Sequence, residues 1–282
     1  MLNDFASRVK SDFARARFKA FLNRVRSTLG GLPKTLLSYD DIKEKLHIGG
    51  PIYRGVQTVE VSKIVGSLNR YHQFDRAFLP LDDQIANRWE NIDRAFYQEI
   101  NLPPIVLYKV GGVYFVVDGH HRVSVARQQG QLFIEADVRE CSTKVNITPD
   151  LKPEDLEILG EKVDFLERTG LDSIRPEASI KLTIPDGFER MLEHIAVHRY
   201  FMGLDLKRDI PEEEAIAHWY DTVYQPIVHI IRRSAVLKGF PGKTEADLYL
   251  WVLDRQALLN KTGQDLLPPT EAAKKFLEKP GK

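Results

Sequence analysis

Tyr114-Phe115-Val116-Val117-Asp118-Gly119-His120-His121-Arg122 is the stretch on which the reading of this chain turns. Its first four residues, with Val113 before them, are apolar or aromatic and read as a buried strand. Asp118-Gly119 stops it, and the run that follows, His121 to Gln129, has the composition of a helix closed by Gly130. A strand that passes at once into a helix brings the helix's first unfilled backbone N–H groups together beside the turn, where they attract anions. Gly119 permits a close approach or a positive φ, and Arg122 sets a planar, permanently charged fork one turn into the helix. His120 and His121 add two donors whose charge can change near pH 7. Positive side chains at a helix start oppose the macrodipole unless an anion sits there. The reading is therefore a phosphate site, set against the plainer one in which Asp118 caps the helix and the cations pair with surface carboxylates.

Working outward, Pro103-Pro104 precedes a strand at Ile105-Val106-Leu107-Tyr108, and Gly111-Gly112 turns it back into the strand above. A last strand is expected near Phe133 to Val138. Upstream, Thr58-Val59-Glu60-Val61 reads as a short strand and Leu81 to Ile100 as a helix or helix pair carrying Trp89. The expected unit is a small mixed sheet over residues 51–142. Before it, residues 1–50 read as a basic amphipathic helix and linker. Phe5, Val9, Phe13, Phe18, Phe21, Leu22 and Val25 recur at helical spacing with arginines and lysines between them, up to Gly30-Gly31. That helix either packs its apolar side on the protein with its arginines solvated, or serves as an arm for a nucleic-acid backbone or a membrane surface. Residues 143–282 read as mostly helical, with Pro226 as a point of kinking and a polar tail after Leu266 expected to fray. The fold class that follows is α+β.

Composition narrows the function classes. The 282 residues are 43% hydrophobic, with forty basic and forty acidic side chains and a mean hydropathy of -0.30, so no global field draws the protein onto nucleic acid or anionic lipid. No apolar run approaches the ~20 residues of a membrane span, and no apolar signal core opens the chain, so a cytoplasmic protein is expected. Cys141, the single cysteine, supplies neither an internal disulfide nor a multi-cysteine metal site.

The segment from Leu102-Pro103-Pro104 through Asp118-Gly119-His120-His121-Arg122-Val123-Ser124-Val125-Ala126-Arg127 resembles the ParB/sulfiredoxin superfamily, whose members share a strand, a Gly-x-x-Arg turn and a helix that holds nucleotide phosphates. Val61-Ser62-Lys63-Ile64, with Asn69-Arg70 and Phe74-Asp75, resembles the opening box of ParB amino-terminal domains. The resemblance spans about Val56 to Cys141 and implies a ParB/sulfiredoxin-like fold, phosphate contacts from Gly119, His121 and Arg122, and Arg70 reaching in from the opening box. Sulfiredoxins carry a catalytic cysteine where this chain has His120, so sulfinic-acid reduction is not implied. ParB partition proteins carry Gly-Glu-Arg-Arg and bind CTP; one of those arginines is missing here. The Asp-Gly-His turn is closer to free-serine kinases of the superfamily. The stretch from Trp219 to Trp251 resembles an uncharacterised bacterial helical domain found in ParB-like proteins labelled as transcriptional regulators.

Three weaker signals are set aside. Gly242-Lys243-Thr244 lacks the first glycine of a nucleotide loop, that place being Leu237, and reads as a Pro-Gly turn with Thr244 capping the next helix. His194 and His198, four apart, are a weak metal pattern. Trp89, Trp219 and Trp251 read as core aromatics.

The favoured expectation is a bacterial ParB-like nucleotide-binding protein that is DNA-associated or regulatory. It would bind a nucleoside triphosphate, ATP or CTP, with Mg2+, Asp118 orienting the turn or a magnesium-bound water. DNA and a second copy of the chain are further candidate partners. The alternative is a phosphotransferase or nucleotide hydrolase in which Asp118 or His120 is the general base and Arg122 neutralises developing charge. An empty scaffold that binds a protein partner is the third expectation.

Overall fold

The structure is a computed structural model, which describes residues 2–30, 35–70, 72–152, 154–261 and 268–278. It is an α+β chain that divides into two compact units, Met1–Leu156 and Glu157–Lys282.

The first unit is built on a six-stranded mixed sheet. In chain order its elements are helix α1 (Leu2–Gly30), strand β1 (Leu37–Ser38), helix α2 (Tyr39–Lys45), strand β2 (Pro51–Glu60), a 3-10 turn (Val61–Lys63) and strand β3 (Ile64–Ser67). Helix α3 (Ala86–Tyr97), strands β4 (Ile105–Val110) and β5 (Val113–Asp118), helix α4 (His120–Gln128) and strand β6 (Phe133–Cys141) follow. The strand order is β1-β3-β5-β4-β6-β2. The hairpin β4–β5 turns at Gly111, whose φ is +56°, and β4 and β6 run parallel at the centre. The segment before Pro51 is more than a linker: Leu37 and Ser38 pair with Gly66 and Ser67 as an edge strand. Gly66 is required there, since a Cβ would meet the Leu37 carbonyl at 2.4 Å and the Phe115 ring at 2.5 Å.

Helices α1, α3 and α4 pack over the core built from Trp89, Phe74, Phe78, Leu107, Val116 and Val123. Phe13 meets Trp89 edge-on at 5.5 Å, and the indole N–H donates to Ser124 Oγ at 2.9 Å. On α1 the apolar residues do not share one side. Val9, Phe13, Ala16 and Ala20 are buried, whereas Phe18, Phe21, Leu22 and Val25 are exposed.

A part-buried cation and a buried carboxylate tie the elements together. Arg127 of α4 donates to the carbonyls of Val61 (3.0 Å), Ile64 (2.6 Å) and Arg76 (3.4 Å) and lies over the Phe78 ring. Burial lowers its pKa to about 10. Asp93 of α3 accepts from Gln129 Nε2 at 2.7 Å, and its second oxygen has no partner among the described residues. Burial, with Asp12 nearby, pushes its pKa up to about 6.

The second unit is helical: α5 (Asp155–Thr169), α6 (Leu171–Ile174), α7 (Gly187–Leu206), α8 (Glu212–Trp219), a π-helical turn (Tyr220–Tyr224), α9 (Gln225–Ser234), α10 (Glu245–Lys261) and α11 (Pro269–Glu278). The irregularity at Pro226 is that π turn. A proline has no N–H to give the carbonyl four residues back, and a wider turn absorbs the misfit. Thr244 caps α10, its Oγ1 accepting from Asp247 N while Asp247 Oδ2 accepts from Thr244 N. Trp219 is buried and bonds Tyr249, but Trp251 is 40% exposed and so is not the core aromatic expected. The tail also differs, since α11 buries Ala272 and Ala273; residues 262–267 and 279–282 lie outside the described residues. No described helix is long and apolar enough to cross a membrane.

Arg127→Ala leaves three part-buried carbonyls without this donor and is expected to cost about 2–3 kcal/mol, read as a lower midpoint in chemical denaturation. For Asp93 the folded pKa lies above the unfolded value of about 4. Its contribution is therefore favourable below that value and is lost as pH rises to about 6. Asp93→Asn should melt higher than wild type above pH 6, with the difference shrinking as pH falls towards 4.

Candidate functional site

The junction of β5 and α4 is formed by Gly119, which sits at φ +104° and ψ +21° as the N-cap residue of α4. A Cβ there would lie 2.4 Å from Ile105 Cγ2 and 2.8 Å from Ile105 Cβ. Conformation and space both demand glycine. No described side chain caps the helix. Asp118 does not fold back as a cap; its Oδ2 accepts from Arg122 Nη2 at 2.8 Å. The first amides of α4 are therefore left to whatever occupies the space in front of them.

That space is a cavity of about 50 Å³ enclosed by Arg70, Arg88, Ile92 and the turn residues Asp118 to Arg122. The volume is several times the ~10–15 Å³ that one water needs. It suits a single phosphoryl-sized group and is too small for a nucleoside. The structure thus brings together all six residues singled out from sequence, namely Arg70, Asp118, Gly119, His120, His121 and Arg122, and adds Arg88. Arg88 projects from α3 four residues before Ile92, and among the described residues it makes no hydrogen bond or ion pair. Its sequence signal was this i, i+4 spacing on a helix already expected to pack through Trp89. Ser67 was also missed. It ends β3, a strand too short and too small in side-chain size to stand out.

The histidines are not the switchable donors that their composition suggested. His120 is buried, its Nε2 shares a hydrogen bond of 2.7 Å with Ser67 Oγ, and its ring stacks on Phe74. Burial, then the nearby Arg70 and His121, lowers its pKa to about 4. His121 lies edge-on to Phe74; burial, then Arg88 and Arg70, brings it to about 4 as well. Both rings are neutral at pH 7, so the positive charge of the pocket comes from its arginines. His121 Nδ1 is buried with no hydrogen-bond partner among the described residues, a cost that a bound polar group would relieve.

Arg122 is more structural than a solvated fork. Its side chain is 14% exposed against 63% for Asp118, and its Nη1 donates to the Pro103 carbonyl. Removing it therefore loses packing and hydrogen bonds as well as charge. Arg70 is held by Gln73 Oε1 at 3.2 Å, and its backbone N–H donates to Ser67 Oγ. Beside the cavity, and sharing Ile92 and Arg122 with it, is a cleft of about 320 Å³ lined also by Phe96, Ile100, Leu102 and Phe133. Among the described residues, Asp118 is the one carboxylate lining the small cavity. A magnesium ion held through one carboxylate and the ligand's own phosphates needs no more than this.

Elsewhere, His198 meets His218, not His194: His198 Nε2 and His218 Nδ1 are 2.8 Å apart, while His194 lies edge-on to Tyr249. Cys141 is buried against the Tyr39 hydroxyl at 3.4 Å.

The depressed histidines carry a pH signature of their own. Each is neutral in the fold, whereas in the unfolded chain it takes a proton at about pH 6.5. Their contribution is complete above that value and lost as pH falls towards 4. Imidazole nitrogen resonances of His120 and His121 should therefore show neutral rings at pH 6, where a solvated histidine is largely protonated. A protonated ring at that pH for either residue contradicts the buried, arginine-flanked geometry.

No protein-family model matches the chain, and no curated protein matches it.

Proposed function

We propose that the first unit binds a phosphorylated ligand, a nucleotide by preference, with a phosphoryl group in the cavity in front of α4. The observation that carries this reading is the convergence of Arg70, Arg88 and Arg122 on an uncapped helix start. Three guanidiniums beside a single carboxylate leave the pocket with excess positive charge, which is costly unless an anion offsets it. Helix amides and planar guanidinium forks are both matched to phosphate oxygens. The cavity takes the phosphoryl group alone, so the organic part of the ligand lies in the adjoining apolar cleft, where Phe96 and Leu102 offer a surface for a planar base. The resemblance of the Asp118 to Arg122 turn to the ParB/sulfiredoxin superfamily points the same way. Mg2+ would arrive with the phosphates and meet Asp118.

A second reading, phosphoryl transfer or hydrolysis, is favoured by one feature. Asp118 sits 63% exposed at the rim and spends one oxygen on Arg122, which leaves the other facing an incoming hydroxyl or water. His120 is a weaker candidate for base, because Nε2 is committed to Ser67. DNA association remains a proposal drawn from the resemblance.

Arg88 gives the cleanest test, since it contributes no described hydrogen bond to the fold. Arg88→Gln should keep the wild-type melting temperature and weaken ATP or CTP binding about ten- to hundredfold, the worth of a charge-assisted contact of roughly 1.5–3 kcal/mol. Calorimetric titration that finds equal affinities for variant and wild type would remove Arg88 from the site. Arg122→Lys should lose both affinity and stability, because a lysine cannot serve the Pro103 carbonyl and a phosphate together.

A further inference from the structure

We infer that the second half of α1 is an interfacial helix that docks the protein on an anionic phospholipid bilayer, independently of the phosphate pocket. Phe18, Phe21, Leu22 and Val25 follow the i, i+3, i+4, i+7 spacing of one helical stripe and are 60%, 60%, 36% and 44% exposed. At 3.6 residues per turn this stripe lies on roughly the opposite side of α1 from Val9, Phe13, Ala16 and Ala20, which hold the helix to the core. Phe18 and Phe21 border a cleft of about 950 Å³ that also takes in Ala20, Ala77 and Leu81, whereas Leu22 and Val25 do not line it. The stripe is a second apolar face on a helix that is already anchored.

The charges are arranged around that stripe. The same helical spacing puts Arg15, Lys19 and Arg26 along one flank and Arg17 and Arg24 along the other. From Phe13 to Tyr39 the sequence contains no aspartate or glutamate. Arg17 donates to Asp83 and the Pro80 carbonyl, and Lys19 to Gln128, so both flanks are braced against the body of the unit. An exposed apolar stripe between two cationic rows complements a surface that is apolar beneath and anionic above, which is the boundary of an anionic bilayer. A second copy of the chain would bring the same cationic rows against these and repel. A nucleic-acid backbone would satisfy the cations but leave Leu22 and Val25 in water.

The test uses the full chain and sedimentation with vesicles of phosphatidylcholine alone or with roughly one-third phosphatidylglycerol. Wild type should pellet with the anionic vesicles and at least tenfold less with the neutral ones. Phe18→Ser/Phe21→Ser should lose tenfold or more of that binding, and its melting temperature should not fall because both rings are exposed. Arg24→Gln/Arg26→Gln should weaken binding and reduce its salt dependence. Phe21→Trp should shift its emission to the blue on adding anionic vesicles. No binding to anionic vesicles overturns the proposal, and so does binding indifferent to the two phenylalanines. A concentration-dependent dimer lost in the phenylalanine variant, without vesicle binding, assigns the face to a second copy and overturns it too. Capture of an acidic protein through the stripe, again without vesicle binding, has the same force.

Discussion

The architecture of the first unit depends on a left-handed glycine that has no room for a side chain. Gly119 lies against Ile105 of the neighbouring strand, and its positive φ turns β5 directly into α4. With that turn in place, the start of α4 lines one cavity together with Arg88 of α3 and Arg70, which follows β3. The cavity is thus a consequence of packing one helix against the end of a sheet. Its electrostatics follow from the same burial, which makes the two histidines neutral and leaves the arginines as the source of charge.

Much of this was readable in the residues, and the reasons are local. The unbroken apolar run Val113 to Val117, the Asp-Gly break and the Gly130 stop are short-range signals, and the elements expected from them stand within a residue or so of β5 and α4. The turn residues were found because chemistry of one kind was concentrated in five consecutive positions. Strands β1 and β3 escaped because their pairing is long-range. Leu37 finds Gly66 only once the intervening chain has folded, and nothing in a four-residue strand announces it. Arg88 escaped for a similar reason, since its role is set by where α3 docks.

Burial was the property least visible from composition. Two histidines and an arginine in one turn suggested solvated, switchable charges. The histidines are instead packed against Phe74 and Ser67, and Arg122 is bonded to Pro103 and Asp118. Tertiary packing also divided α1 into two apolar faces where the spacing had suggested one. In the second unit, the Thr244 cap was readable because Thr and Asp three apart at a helix start satisfy each other locally, whereas the exposure of Trp251 depended on which face of α10 is covered.

The central claim is that the first-turn amides of α4 and the arginines around them receive a phosphoryl group. Backbone amide resonances measured while ATP, CTP or inorganic pyrophosphate is added report this directly. Saturable downfield shifts of the His120, His121 and Arg122 amides are expected, with matching movement of the Arg88 side-chain Nε resonance. Saturable binding that leaves those four resonances unmoved would contradict the claim.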